Sequence, residues 1–452
     1  MKILSTGEKI KRSRIYKGYT LKEICDDKIS VSKMSCIENN KVMAESWILE
    51  LISKKLDIDI GYLNENVLEQ VEENIKELKE YAINGEYAMD GEYAMNGEYA
   101  INGKYAMNSK DGLDDKDEDF EAKVSYNLEF AEKYNYFDLA IELIHMLFNF
   151  YLDEKDFEKT QSITSKYYDL HLKTSIEDKK LTYYIDMARH LYIKEDYFQA
   201  SSYYCNVRKG LIDSKIPNYK QLIIVTYNEA ACNIMLKNYE HAYDVGIKLL
   251  DLVKHVDTEF KAAEIYHMLA MLSIRMKNGK FGEYEKKSYE LYKDKASSKA
   301  LAIFNYGSTM FDCNMKESAV EYINNGLSVY PRSNKAGLVR FMLDCVSELI
   351  KNDVIDLAQA ISDEVLNYAI NLDDIKFIEK SYYYKAIILD KQGKASSAEM
   401  YMNLSLDSLL KFGEKQDIYT RYIEMGSMYH KLSNVEDSIK YFSLAIKLEK
   451  KM

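Results

Sequence analysis

Proline is nearly missing from this chain, with only Pro217 and Pro331 among 452 residues. Proline removes an amide donor and clashes with the preceding turn, so its scarcity permits long uninterrupted helices. The six cysteines (Cys25, Cys36, Cys205, Cys232, Cys313, Cys345) form no C-x-x-C pair. That pattern argues for buried free thiols over disulfides or zinc. Seven histidines are scattered and no H-E-x-x-H occurs, so neither a metal, a cofactor nor a catalytic centre is expected. Long apolar runs are also lacking. The strongest, Leu139 to Leu152, is broken by Glu142 and His145 and is too short to span a bilayer. Nor does Met1 to Glu8 hold a stretch of signal-peptide length. The expectation is a cytoplasmic protein without membrane contact.

What the chain does contain is unevenly charged. Residues 1–44 carry ten Lys/Arg against five Asp/Glu, a net +5, which leaves −17 on the other 408 residues of a chain whose total is −12. A small basic head on a large acidic body implies DNA contact at one end only.

Three segments follow. Residues 1–66 read as a compact unit of short helices. Residues 67–120 hold a polar connecting helix and a hexapeptide array from Tyr81 to Lys110, beginning Tyr81-Ala-Ile-Asn-Gly-Glu. A period of six rotates each Tyr by about 240° on a helix, and repeated Asn-Gly favours turns, so no apolar face forms. The array reads as a spacer, or alternatively as a Tyr-rich contact or modification surface. Gly97 to Lys104 mimics a phosphate loop but has five rather than four intervening residues and Tyr105 where Ser or Thr belongs. Residues 121–452 alternate helix, short turn and helix, about eight pairs of them. Turn signals such as Lys194-Glu-Asp196, Lys237-Asn238 and Ser433-Asn434 recur, each followed by an apolar and then a small residue. This is tetratricopeptide-like punctuation stretched to a period of about forty. The predicted fold is all-α: a helix–turn–helix head followed by a right-handed tetratricopeptide-like superhelix.

One column of polar residues keeps that period: Asp186, Asn228, His267, Asn305, Asp344, Tyr384 and Glu424. Two positions later come Ala188, Ala230, Gly307, Ala386 and Gly426, small enough for helices to approach closely; Leu269 and Val346 break the pattern and predict looser packing. Stacked pairs form a concave face lined by first helices, and the column lies on those helices. Asn228 and Asn305 are the leading ligand candidates, since an amide both donates to and accepts from a peptide backbone. Asp186, Asp344 and Glu424 suit a cationic peptide; His267 and Tyr384 complete the row. Each also has a local structural reading, and Arg189, one turn after Asp186, is expected to pair with it.

In the head, Thr20 to Asn40 reads as helix–turn–helix. Thr20 and Glu23 form a capping box, Ser30 or Ser32 caps the second helix, and Ile24, Ile29, Met34 and Ile37 face the core. Ser32, Lys33, Ser35 and Cys36 then point toward a major groove. Lys9, Lys11, Arg12, Arg14, Lys17, Lys22 and Lys41 are the expected phosphate contacts.

Gly18-Tyr-Thr-Leu-Lys-Glu-Ile, Met34-Ser-Cys-Ile-Glu-Asn39 and Ile48-Leu-Glu-Leu-Ile-Ser-Lys-Lys-Leu56 resemble an Xre-type helix–turn–helix domain. Joined to such repeats, the chain resembles the peptide-responsive quorum-sensing regulators typified by PlcR, NprR, PrgX and Rgg, with Rap proteins as relatives. Thr226-Tyr-Asn228-Glu-Ala230 is similar to the repeat where that family places a peptide-gripping Asn. The resemblance implies a cytoplasmic homodimeric transcription regulator that binds operator DNA. It also implies a short secreted and re-imported peptide docked in the concave groove. The alternative it implies is a Rap- or NprR-like protein that binds a phosphorelay response regulator and alters its phosphorylation. Leu21 and Cys36 depart from the family's Gln and Arg, so the reading helix offers only Lys33 and serines to bases.

Overall fold

The computed structural model describes residues 2–84, 115–214, 218–293 and 295–451. Most of the hexapeptide array lies outside them. The described residues form helices and turns, with no strand among them. The chain divides into two compact units, Met1–Asp257 and Thr258–Met452.

The first unit opens with α1 (Thr6–Tyr16), α2 (Leu21–Cys25), α3 (Val31–Glu38), α4 (Ser46–Leu56) and α5 (Ile60–Asn64). Most of these short helices are started by a side-chain cap, α4 being the exception. Ser5 with Glu8, and Thr20 with Glu23, form capping boxes at α1 and α2, and Ser30 caps α3. Asp26 and Asp57 end α2 and α4 in the left-handed region. The enclosed core contains Ile10, Ile24, Ile29, Met34, Ile37, Ile48, Ile52, Leu56 and Leu63. Helix α1 lies so close to the end of α3 that a Cβ on Gly7 would stand 2.2 Å from the Ile37 carbonyl oxygen.

Next comes α6 (Val67–Asn84), which packs on α7 (Asp115–Lys133). The head is strapped to this part by its first residues. Ile3 is buried in the α6–α8 core rather than in that of the head. Gln70 of α6 accepts from the Leu4 amide (2.9 Å) and donates to the Leu4 carbonyl (2.9 Å). Three antiparallel pairs complete the unit: α8 (Phe137–Asp153) with α9 (Phe157–Lys173), α10 (Glu177–Ile193) with α11 (Tyr197–Asp213), and α12 (Tyr219–Met235) with α13 (Tyr239–Leu252).

The second unit contains five pairs. They are α14 (Glu259–Met276) with α15 (Phe281–Tyr292), α16 (Ala296–Asp312) with α17 (Lys316–Val329), α18 (Lys335–Lys351) with α19 (Ile355–Leu372), α20 (Ile375–Lys391) with α21 (Ala395–Phe412), and α22 (Lys415–Lys431) with α23 (Val435–Glu449). The first helices α14, α16, α18 and α20 lie side by side in that order. These are tetratricopeptide-like helical repeats.

A single turn design recurs inside the pairs. One residue takes left-handed φ: Lys155, Glu195 and Lys237 in the first unit, Asn314, Asp353, Gly393 and Ser433 in the second. The next amide then reaches back five residues, as Asp156 to Tyr151 (2.9 Å), Asn238 to Asn233 (2.8 Å) and Val354 to Leu349 (2.9 Å). That closure satisfies carbonyls left open at the helix end. The small residues also act as expected at Gly307, where a Cβ would lie 3.1 Å from the Ala319 carbonyl oxygen, and at Gly426, 2.8 Å from the Phe442 ring. Leu269 and Val346 are both fully buried, so each pair houses the larger side chain.

Candidate DNA-reading head and polar row

The face of α3 is built by its cap and its apolar stripe. With Met34 and Ile37 turned inward, Ser32 is exposed and Lys33, Ser35 and Cys36 are half-buried at the surface. Lys11, Arg12, Lys22 and Lys41 of the same domain are exposed. Lys17 reaches the Asp57 carbonyl at 3.2 Å.

Two expected phosphate contacts are committed elsewhere. Lys9 is 1% exposed, and its ammonium donates to the Tyr62 and Glu65 carbonyls (2.8 and 2.9 Å) and to the Glu65 carboxylate (2.9 Å). It ties α1 to the end of α5. Arg14 meets Glu38 bidentately, Nε to Oε1 at 2.6 Å and Nη2 to Oε2 at 2.9 Å, and donates from Nη1 to the Tyr19 carbonyl. Glu38 is buried, so Arg14 neutralises a core charge rather than facing solvent. Sequence reasoning also missed Glu45. This residue at the start of α4 accepts from Lys33 Nζ (2.7 Å) and from Trp47 Nε1 (2.7 Å). No local sequence pattern marks it, because its partner Lys33 lies on another helix, twelve positions earlier.

The polar row proves more occupied than a row of free groups. In the first unit, Asp186 of α10 is buried, and Tyr167 (2.6 Å), His145 (2.5 Å) and Asn149 (3.2 Å) all bind its carboxylate. The carboxylate is a hub joining α8, α9 and α10. Arg189 donates to Asp153 and Asn149. Asn228 on α12 is also buried, beside the Tyr204 hydroxyl, and its Oδ1 has no hydrogen-bond partner. The following residue, Glu229, is fully buried and clamped by Arg208 Nε (2.6 Å) and Nη2 (3.2 Å).

In the second unit the row is knit together in part. His267 on α14 is 2% exposed, and its Nε2 lies 3.3 Å from Asn305 Nδ2 on α16. Burial pushes the His267 pKa down to about 3, so the ring is neutral. With Nε2 accepting from Asn305, the ring proton sits on Nδ1, which has no partner. One turn earlier, burial lifts Glu264 to about 7 while the Tyr292 hydroxyl donates to it at 2.6 Å. Asp344 and Tyr384 are half-buried; burial raises the Tyr384 pKa, its hydroxyl is bonded to Ser347, and the Asp344 charge adds to the shift. Glu424 accepts from Tyr383 (2.7 Å) and from Arg421 (3.0 Å), whose guanidinium stacks on the Tyr383 ring and also holds buried Glu379.

No group of His, Cys, Asp and Glu suited to a metal occurs among the described residues, and none of their helices is long and apolar enough to cross a membrane. No protein-family model and no curated protein matches the chain. Among solved structures, it is similar to Bacillus thuringiensis PlcR in complex with the peptide PapR7 and DNA, at 17% identity over 64% of this chain and 94% of that one, with a TM-score of 0.35. It is similar to the quorum sensor NprR from B. thuringiensis in its apo form, at 16% identity over 85% and 100%, TM-score 0.43. It is also similar to RapI in its apo form, at 12% identity over 84% and 98%, TM-score 0.47.

Proposed function

We propose that this chain is a cytoplasmic, sequence-specific DNA-binding regulator whose activity is controlled by a short signalling peptide held by its repeats. The observation that carries the reading is the head: a capped helix–turn–helix with Ser32, Lys33, Ser35 and Cys36 at its surface, in a domain that also exposes Arg12, Lys22 and Lys41. Exposed cations supply sequence-independent affinity by releasing counterions from phosphates, and the reading face supplies discrimination.

The row supports the peptide part. In the second unit His267 Nδ1 is buried and unmatched, a costly state that a ligand's backbone relieves when the helices part. Asn305, Asp344 and Tyr384 are more accessible members of the same row.

A homodimer is part of the proposal. Helix α23 exposes Val435, Ile439 and Ile446 at 61%, 61% and 52%, spacings that place them on one face. Glu436 and Asp437 lie at its start, with Lys447 and Lys450 at its end, so two copies pair antiparallel with opposite charges opposed.

Selection and sequencing of genomic fragments bound by the full chain tests the reading. Enrichment of a palindromic site that weakens when Lys22 and Lys41 become Ala is expected. No enrichment, with or without peptides from spent culture medium, would overturn it and turn attention to a response-regulator partner.

A further inference from the structure

The head carries one more device, and it rests on the proposal that this head binds DNA. Lys33 is the lone cation of α3. Its ammonium is not free: Glu45 Oε1 accepts from it at 2.7 Å. The partner oxygen, Glu45 Oε2, accepts from Trp47 Nε1 at 2.7 Å. Lys33 Nζ in turn lies 5.9 Å from the Trp47 ring centroid.

The arrangement is asymmetric. Trp47 belongs to α4, whose neighbours Ile48 and Leu49 are in the core. Glu45 is therefore held by an indole donor at its own helix start as well as by Lys33, whereas among the described residues the hydrogen bond from Lys33 Nζ goes to Glu45. A lysine ammonium is a compact charge on a flexible four-carbon stem, so Lys33 is the partner that can leave. Glu45 also forgoes the usual use of an N-cap side chain, since it makes no cap hydrogen bond to α4. Both side chains remain substantially open to solvent, 37% for Lys33 and 57% for Glu45, so a duplex on this face meets the pair directly.

We infer that Glu45 is a specificity-determining residue that acts through Lys33, cancelling its charge against any duplex that does not draw the lysine away. A loosely docked duplex sees a neutral pair and loses no counterion there. A sequence that lets α3 seat fully offers Lys33 a base-edge acceptor or a phosphate close enough to compete with Glu45. The carboxylate thus lowers affinity for all DNA, and lowers it most where docking is loosest, widening the ratio between operator and random sequence.

Glu45→Gln keeps the size and an acceptor for Trp47 while deleting the charge. For the full-length variant, affinity for random duplex should rise by about 5–10-fold at 100 mM salt, and the slope of log K against log salt should steepen by about 1, as for one added phosphate contact. Affinity for the selected site should rise less. In a Lys33→Gln background the same substitution should leave the slope unchanged. If Glu45→Gln moves neither affinity nor slope while the wild type still selects a site, this inference fails and the DNA-binding reading stands. An equal slope change with Lys33 absent would also overturn it, by showing that Glu45 acts as a bare charge. A wild type that binds no DNA overturns both.

Discussion

Arg14 and Glu38 are joined by two near-parallel hydrogen bonds across the head, from the last turn of α1 to the end of α3. Glu38 is only 3% exposed, and a buried carboxylate that loses its partner keeps its desolvation cost. Arg14→Ala should therefore unfold the head, at a loss of about 3–5 kcal/mol, rather than merely weaken DNA binding. Trp47, the one tryptophan of the chain, lies in the head and reports the transition by fluorescence in urea. A variant with wild-type midpoint and reduced DNA affinity would show that Arg14 works at phosphates instead.

Gly7→Ala tests the approach of α1 to α3. An added Cβ meets the Ile37 carbonyl oxygen at 2.2 Å and Asn40 Oδ1 at 2.6 Å. Backbone must shift, and the expected loss is about 1–3 kcal/mol in the same fluorescence assay. An unchanged midpoint would contradict the close packing.

The recurrent turn predicts changes of opposite sign. Lys237 holds φ near 59° and Gly393 near 74°. A side chain there costs about 1–2 kcal/mol, offset in part by the entropy that glycine adds to the unfolded chain. Lys237→Gly should raise stability by roughly 0.5 kcal/mol and Gly393→Ala should lower it by about 1 kcal/mol. Melting curves read both, and a loss at Lys237→Gly would mean its side chain contributes more than its backbone costs.

The second unit should carry two opposed pH dependences. Glu264 is held near 7 by burial, above its unfolded value of about 4.3, so it weakens the fold as pH rises from about 4.5 to 7. His267, lowered by burial to about 3 from about 6.5 unfolded, weakens the fold as pH falls from about 6.5 toward 3. Glu264→Gln should therefore gain stability relative to wild type on going from pH 5 to pH 8. Urea denaturation at both values gives the sign, and a reversed or flat difference would mean that Glu264 is ionised in the fold.

Ile439→Lys tests the α23 face. Sedimentation of the full chain should change from dimer to monomer while helicity is retained. A monomeric wild type, or a dimer that survives the substitution, would place the contact elsewhere.

Features written over short stretches were legible before the structure. Thr20 with Glu23 is a box of adjacent turns, and the spacing of Ile24, Ile29, Met34 and Ile37 is a local pattern; all four are buried. The helix pairs announce themselves by turn residues within a few positions of each other. Pairings across long sequence separations were not legible. Lys9 finds Glu65 and Arg14 finds Glu38 because the head closes on itself. The sequence leaves Asp186 both a ligand and a local structural reading, and the side chains it gathers, His145, Asn149 and Tyr167, come from two other helices. Periodicity identifies the helix face on which a residue lies, but not which distant side chain already occupies it.

The clamp between Gln70 and Leu4 works as a ruler. One carboxamide reads the amide and the carbonyl of a single residue, so it recognises position along the chain and is indifferent to the side chain carried there. Substitutions at Leu4 leave that grip intact. Inserting one residue between Leu4 and the Ser5 cap would force a choice between the α1 capping box and the seat of Ile3, and either outcome would detach the head from α6.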